Sequence, residues 1–208
     1  MMPPATPTDA TPAPFAPIWL ASRSPRRREL LAQLGVVHDL LLFDIDETPA
    51  PGEDPQAYVQ RIARTKAETG WLELGRRGLD ERPVLAADTS VIANGHILGK
   101  PGNAERAELM LRQLSGRSHQ VMTALALAWR QQVHTALSIS TVTFAELEES
   151  DIHRYAHSDE PLDKAGGYAI QGQAAAFIRH LSGSYSGVMG LPAFETVQLL
   201  RSAGLTRA

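Results

Sequence analysis

The sequence predicts a mixed α/β domain, and three stretches carry that prediction. Residues 18–21, Ile-Trp-Leu-Ala, read as a short apolar strand that passes through a tight turn into a helix opened by Ser24-Pro25. Residues 83–87 form a continuous apolar run, the pattern of a central strand covered on both faces. Residues 121–129 and 133–144, on either side of a short polar turn, read as a long antiparallel pair.

The other elements follow in order. Residues 26–34 make a short helix with Leu30, Leu31 and Leu34 on one face, and Gly35 closes it. Residues 36–43 are an apolar run of strand length that ends in the acidic group Asp44, Asp46 and Glu47. A Pro-Gly loop leads to Asp54-Pro55, which starts a long helix to about residue 74 with Tyr58, Ile62, Ala63 and Ala67 on its buried face. After the central strand, Asn94-Gly95 marks a tight hairpin between residues 90–93 and 96–98. Helices are expected over 104–114, 150–156 and 192–202, and a closing hairpin over 174–181 and 184–188 around Gly183. The stretch 163–172 is glycine-rich and reads as irregular.

Composition bounds the function. With 208 residues, 43% of them hydrophobic, the chain can bury one real core, so residues 18–208 are expected to form a single domain. Residues 1–17 are proline-rich and small, and are expected to form an extended, disordered leader. They lack the basic and apolar parts of a secretory signal, and no later run is long enough to span a bilayer, which predicts a cytoplasmic protein without a membrane partner. No cysteine is present, so disulfides, thiolate catalysis and Cys-based zinc sites are excluded. The net charge of −3 argues against a general nucleic-acid binder, so any anion handling must be local.

Local cations are what the chain supplies. Arg26, Arg27 and Arg28 occupy the first turn of a helix, where exposed N–H groups already carry partial positive charge. Cations there make sense beside a bound anion, and a helix N-terminus with forked guanidiniums is a ready phosphate site. Of 20 basic residues only Lys66, Lys100 and Lys164 are lysine, two of them in the turns Gly99-Lys100-Pro101 and Asp163-Lys164-Ala165-Gly166. Asp88 ends the central apolar strand, and in open α/β sheets ligands bind at carboxyl ends of strands. A carboxylate there binds a metal, meets a cation or works as a base. Glu47, with Asp44 and Asp46, offers oxygen ligands of the kind Mg²⁺ takes. Gln171 offers a donor and an acceptor to a nucleobase. His119 leads into a strand and reads as structural. His153 and His157 are four apart on a predicted helix, but the sequence shows no third ligand beside them.

These segments together resemble the Maf family of nucleoside triphosphate pyrophosphatases over nearly all of residues 18–203. The resemblance rests on Leu20-Ala21-Ser22-x-Ser24-Pro25-Arg26-Arg27, Ala87-Asp88-Thr89, Gly99-Lys100-Pro101 and Ser115-Gly116-Arg117-x-His119-x-Val121-x-Thr123. Asp163-Lys164-Ala165-Gly166, Ile170-Gln171-Gly172 and Gly190-Leu191-Pro192 complete it. It implies an elongated, twisted mixed sheet with flanking helices, two lobes around a cleft, and a homodimer. It also implies hydrolysis of a nucleoside triphosphate between the α and β phosphates with a divalent cation, Mg²⁺ or Mn²⁺.

By the same resemblance Asp88 is the catalytic base and, with Glu47, a metal ligand. Arg26, Thr89 and Gln171 are the specificity positions. Ser22, Ser24, Arg27, Lys66, Lys100 and Lys164 are expected around the phosphates. Asp-Lys-Ala-Gly with Ile-Gln-Gly is similar to the branch acting on dTTP and UTP, more than to the branch acting on 7-methyl-GTP. A nucleotide-binding regulator of septum formation is the alternative from another class. Arg23 and Ala169 depart from the family's usual residues in this pocket.

Overall fold

The computed structural model describes residues 14–206. Most of the expected leader therefore lies outside the described residues. Its last residues do not fit that expectation: Phe15 is 5% exposed, packs with Leu30, Leu200 and Leu205, and pairs across to Thr206. The folded part starts at least three residues earlier than the apolar run at Ile18 suggests, because one aromatic ring finds a place in the core.

The chain begins with strand β1 (Ile18–Ala21), helix α1 (Pro25–Gln33) and strand β2 (His38–Leu40). The run 36–43 yields only three strand residues because its partner β1 has only four. Helix α2 (Pro55–Arg77) starts on the Asp54 carboxylate, which accepts from the N–H groups of Gln56 and Ala57, and stops at Gly78 in the left-handed conformation. Strands β3 (Val84–Ala93) and β4 (His96–Leu98) form the expected hairpin, with positive φ at both Asn94 and Gly95. Helix α3 (Ala104–Leu114) precedes the long pair β5 (Ser118–Trp129) and β6 (Gln132–Phe144). Helix α4 (Glu149–Ala156), two 3₁₀ turns, strand β7 (Ile178–Ser182), and helices α5 (Tyr185–Met189) and α6 (Ala193–Ser202) complete the chain.

Residues 184–188 are thus helical, not the second arm of a hairpin. The Ser184 hydroxyl caps the turn by accepting from Gly187 N–H, and left-handed Gly190 ends it. A short apolar run cannot by itself tell a strand from a helical turn.

The sheet has the order β2-β1-β3-β5-β6-β7, with β4 on β3. Its first three strands are parallel and the rest antiparallel, which is the mixed α/β class expected. β5 pairs with β3 along residues 84–92. On the other edge of β3, β1 pairs only to Ala86 and β4 begins only at Val91. Residues 87–90 therefore face a gap in the sheet. On one side of the gap, α2 covers one sheet face, while α1 and α6 cover the other. On the far side, Val91 and Ala93 join Val121, Val142 and Phe144 in a separate core under α3 and α4. β3, β5 and β6 run through both parts, and the gap is the cleft between two lobes.

Candidate active site

Asp88 lies mid-strand in β3 rather than at its end, yet it stands two residues beyond the carboxyl end of the parallel neighbour β1. The expected position at a strand terminus is corrected in that sense. Strand alternation sends Asp88 to the face of Val84 and Ala86, under α2, and Thr89 to the face of Leu85 and Ala87, beside α1. That single alternation separates two networks.

Under α2, the Lys66 ammonium bridges two carboxylates, at 2.9 Å from Asp88 Oδ1 and 2.8 Å from Glu47 Oε1. Asp88 is 8% exposed and gains its counter-charge from this lysine, which is what a nearly buried carboxylate requires. Tyr58, two turns before Lys66 on α2, donates its hydroxyl to the Glu47 carbonyl at 2.9 Å and so fixes the acidic loop. Burial, with the negative charges of Asp88 and Glu47, pushes the Tyr58 pKa up to about 12, so the group stays a donor. Asp44 and Asp46 do not join Glu47. Asp44 pairs with Arg23 at 3.1 Å, and Asp46 accepts from the Thr48 N–H within its own loop.

On the other face, Arg27 donates from Nε to the Gly190 carbonyl (2.8 Å), from Nη1 to Ser22 Oγ (3.2 Å) and from Nη2 to Thr89 Oγ1 (3.2 Å). Thr123 spends its proton on the Gly187 carbonyl at 2.8 Å, so the 2.9 Å contact between Thr89 and Thr123 uses the Thr89 proton. Thr89 thus lines the cleft with one lone pair left to offer. Three of the five Arg27 N–H groups go to protein oxygens, so this side chain fixes the cleft wall as well as lining it. Burial lowers the Arg27 pKa, Asp88 opposes that, and the guanidinium remains charged.

Ser24 sits at the N-cap of α1, but its hydroxyl makes no capping bond, contrary to expectation, and the first turn carries no acidic residue. Ser24 N–H turns back to Ser22 Oγ at 3.1 Å. The first turn of α1, which lines the cleft, therefore has no carboxylate to satisfy its amides.

The third wall is the segment 163–172. Gly166, at φ +70°, lies so close to β3 that a Cβ would come within 2.8 Å of Val91. Behind it, Glu160 accepts from Tyr155 Oη and from the Gln173 N–H, and a Cβ on Gly172 would meet its carboxylate at 2.3 Å. Both glycines are required by close approach. Lys164 pairs with its neighbour Asp163. Burial acts to raise the Asp163 pKa, but the Lys164 bond and the field of Arg26 win and hold it below the usual carboxylate range.

All of these walls bound one cleft of about 630 Å³. Ser22, Ser24, Arg26 and Arg27 line it from α1 and the turn before it. Glu47, Lys66, Asp88 and Thr89 form its floor, and Lys100, Lys164 and Gln171 its far side. Every site residue expected from the sequence is there, drawn from six separate segments. Sequence reading assigned Tyr58 to the core alone; nothing in a helical periodicity shows that its hydroxyl reaches the acidic loop. Phe43, Val91, Ile97 and Ile170 give the same cleft apolar surface, suited to a flat base.

Fold and cleft define an α/β protein with a cation-lined pocket for a polyanion. The chain belongs to the Maf-like protein family, whose model matches residues 17–203. It is 54% identical over 197 residues to the dTTP/UTP pyrophosphatase of Nitrosomonas europaea, covering 91% of this chain and 95% of that one. It is 50% identical over 206 residues to the protein of the same name from Ralstonia nicotianae, covering 95% and 99%. Among solved structures, the Staphylococcus aureus Ham1 protein matches 91% of this chain and 100% of its own with a TM-score of 0.50 at 14% identity, a likeness of fold alone.

Proposed function

We propose that the chain is a nucleoside triphosphate pyrophosphatase that hydrolyses dTTP and UTP between the α and β phosphates, releasing the monophosphate and diphosphate. The names of relatives at about half identity over nine-tenths of the chain support the substrate. The observation that carries the chemistry is the Asp88–Lys66–Glu47 bridge on the floor of a cation-lined cleft.

Asp88, a nearly buried carboxylate at the gap in the sheet, accepts the proton of the attacking water. Lys66 pairs with that carboxylate and orients it. Lys100, Lys164 and Arg26 neutralise the triphosphate, with Ser22, Ser24 and the α1 amides contributing donors. Arg27 holds Thr89 and Ser22 in position and presents its remaining N–H groups to the same anion. Arg26, Thr89 and Gln171 read the nucleoside, Thr89 through its remaining lone pair.

Glu47 and Asp88 are hard oxygen donors, the kind Mg²⁺ or Mn²⁺ takes together with water and substrate phosphate, so the residues present fit a divalent cation. Such an ion supplies charge neutralisation on the phosphates. Removing it with a chelator is expected to abolish turnover. The protein is proposed to work in the cytoplasm, as a homodimer, without nucleic-acid or membrane partners; no helix among the described residues is long and apolar enough to cross a membrane.

The test is diphosphate release from a panel of dTTP, UTP, dCTP, GTP and 7-methyl-GTP with Mg²⁺ or Mn²⁺. The proposal expects dTTP and UTP to lead. Preference for 7-methyl-GTP overturns the substrate. Tight nucleotide binding without turnover overturns the activity and favours a regulator.

A further inference from the structure

Away from the cleft, α3 and α4 pack side by side and bring three ligand-type side chains together. His153 Nδ1 lies 2.9 Å from Glu108 Oε1, and His157 Nδ1 lies 3.7 Å from the same oxygen. The two imidazoles are 4.1 Å apart between ring centroids. One donor atom from each of the three residues falls within 4.8 Å of the others. We propose that Glu108, His153 and His157 form a second cation site, for a borderline transition metal of the Zn²⁺ class.

The spacing suits such an ion. Tetrahedral zinc with bonds of about 2.0–2.1 Å sets its ligand atoms about 3.3 Å apart, between the two distances to Oε1. Two imidazoles and one carboxylate with an open position make a common zinc set, and imidazole favours zinc over magnesium. The ligands are supported from behind. Arg112 Nη2 grips the other oxygen, Glu108 Oε2, at 3.0 Å and leaves Oε1 to the histidines. Glu149 in turn offsets the Arg112 charge at 2.8 Å. His157 Nδ1 is also 2.9 Å from the His153 carbonyl, so binding through this atom exchanges that bond for one to the ion. Both rings are open to solvent, so an ion can enter without unfolding. Once bound, it ties α4, which leads into the cleft segment 163–172, to α3.

The site is independent of the proposed activity and is tested without it. Full-length protein, freed of metal by chelation, is titrated with ZnCl₂ in buffer containing excess Mg²⁺, with heat of binding and thermal midpoint as readouts. The expected result is one zinc per chain and a raised midpoint. His153→Gln with His157→Gln removes two of the three ligands and is expected to abolish the zinc binding and the rise, with Mg²⁺-supported hydrolysis unchanged. Glu108→Gln is expected to weaken zinc in the same direction. The inference is overturned if the wild-type chain takes up no zinc. It is equally overturned if the double variant binds zinc as the wild type does, or if Glu47→Gln abolishes binding and the histidine changes do not.

Discussion

Asp88 on β3 and His119 on β5 are polar groups on neighbouring strands, each under one-tenth exposed, and the protein treats them in opposite ways. Asp88 meets a lysine and opens on the cleft. His119 meets only the Tyr168 hydroxyl at 2.7 Å, and packs edge-on against Phe144 and Tyr168. Burial drives its pKa down to about 4, so it is neutral in the fold. A charge survives inside this sheet only where an opposite charge reaches it, and that condition separates the chemical site from the packing site. His119 belongs to the motif that signals the family, yet its work is to seat Tyr168, which borders the cleft.

The contrast can be broken at several points. Asp88→Asn is expected to lower the rate of diphosphate release by about 10²–10⁴-fold while the chain stays folded. A wild-type rate would make Asp88 another packing residue. Lys66→Met is expected to cost about 10²–10³-fold in kcat, since it leaves two carboxylates facing each other without their shared cation.

The histidine side of the comparison gives a pH effect. Above its unfolded pKa of 6.5, His119 is neutral in both states and contributes no pH dependence. Between there and about 4 the unfolded chain binds a proton that the fold refuses, so stability falls as pH drops. The accumulated loss is about 3 kcal/mol. His119→Gln should flatten that part of the profile, measured by urea unfolding at pH 4.5 and 7. An unchanged slope would show that the ring is not held neutral. Tyr58→Phe is the smallest change. It removes one hydrogen bond to the Glu47 loop, is expected to cost about 1 kcal/mol of stability, and should reduce the rate less than tenfold.

Much of this was legible in the sequence, and for physical reasons. The Asp54 cap, the Asn94-Gly95 turn and the amphipathic α3 are local signals, set within a few residues, and the structure has them where they were expected. Misreadings arose where distant partners decide. β2 is short because β1 is short; residues 184–188 were misread for a local reason, a serine-capped turn in a run too short to tell strand from helix. β3 runs on past Asp88 because β5 pairs with it throughout. The site residues were legible as types and order. Their convergence was not, since it depends on β1 leaving β3 four residues before β4 arrives. The Arg27–Thr89–Thr123 chain was hidden for the same reason, and Glu108 beside His153 and His157 because α3 and α4 meet only in the fold.

The most direct measurement is hydrolysis of dTTP in ¹⁸O-water followed by ³¹P NMR. If Asp88 aims water at the α phosphorus, the label appears in thymidine monophosphate and the diphosphate is unlabelled. Label in the diphosphate, or release of thymidine diphosphate with orthophosphate, would contradict the account.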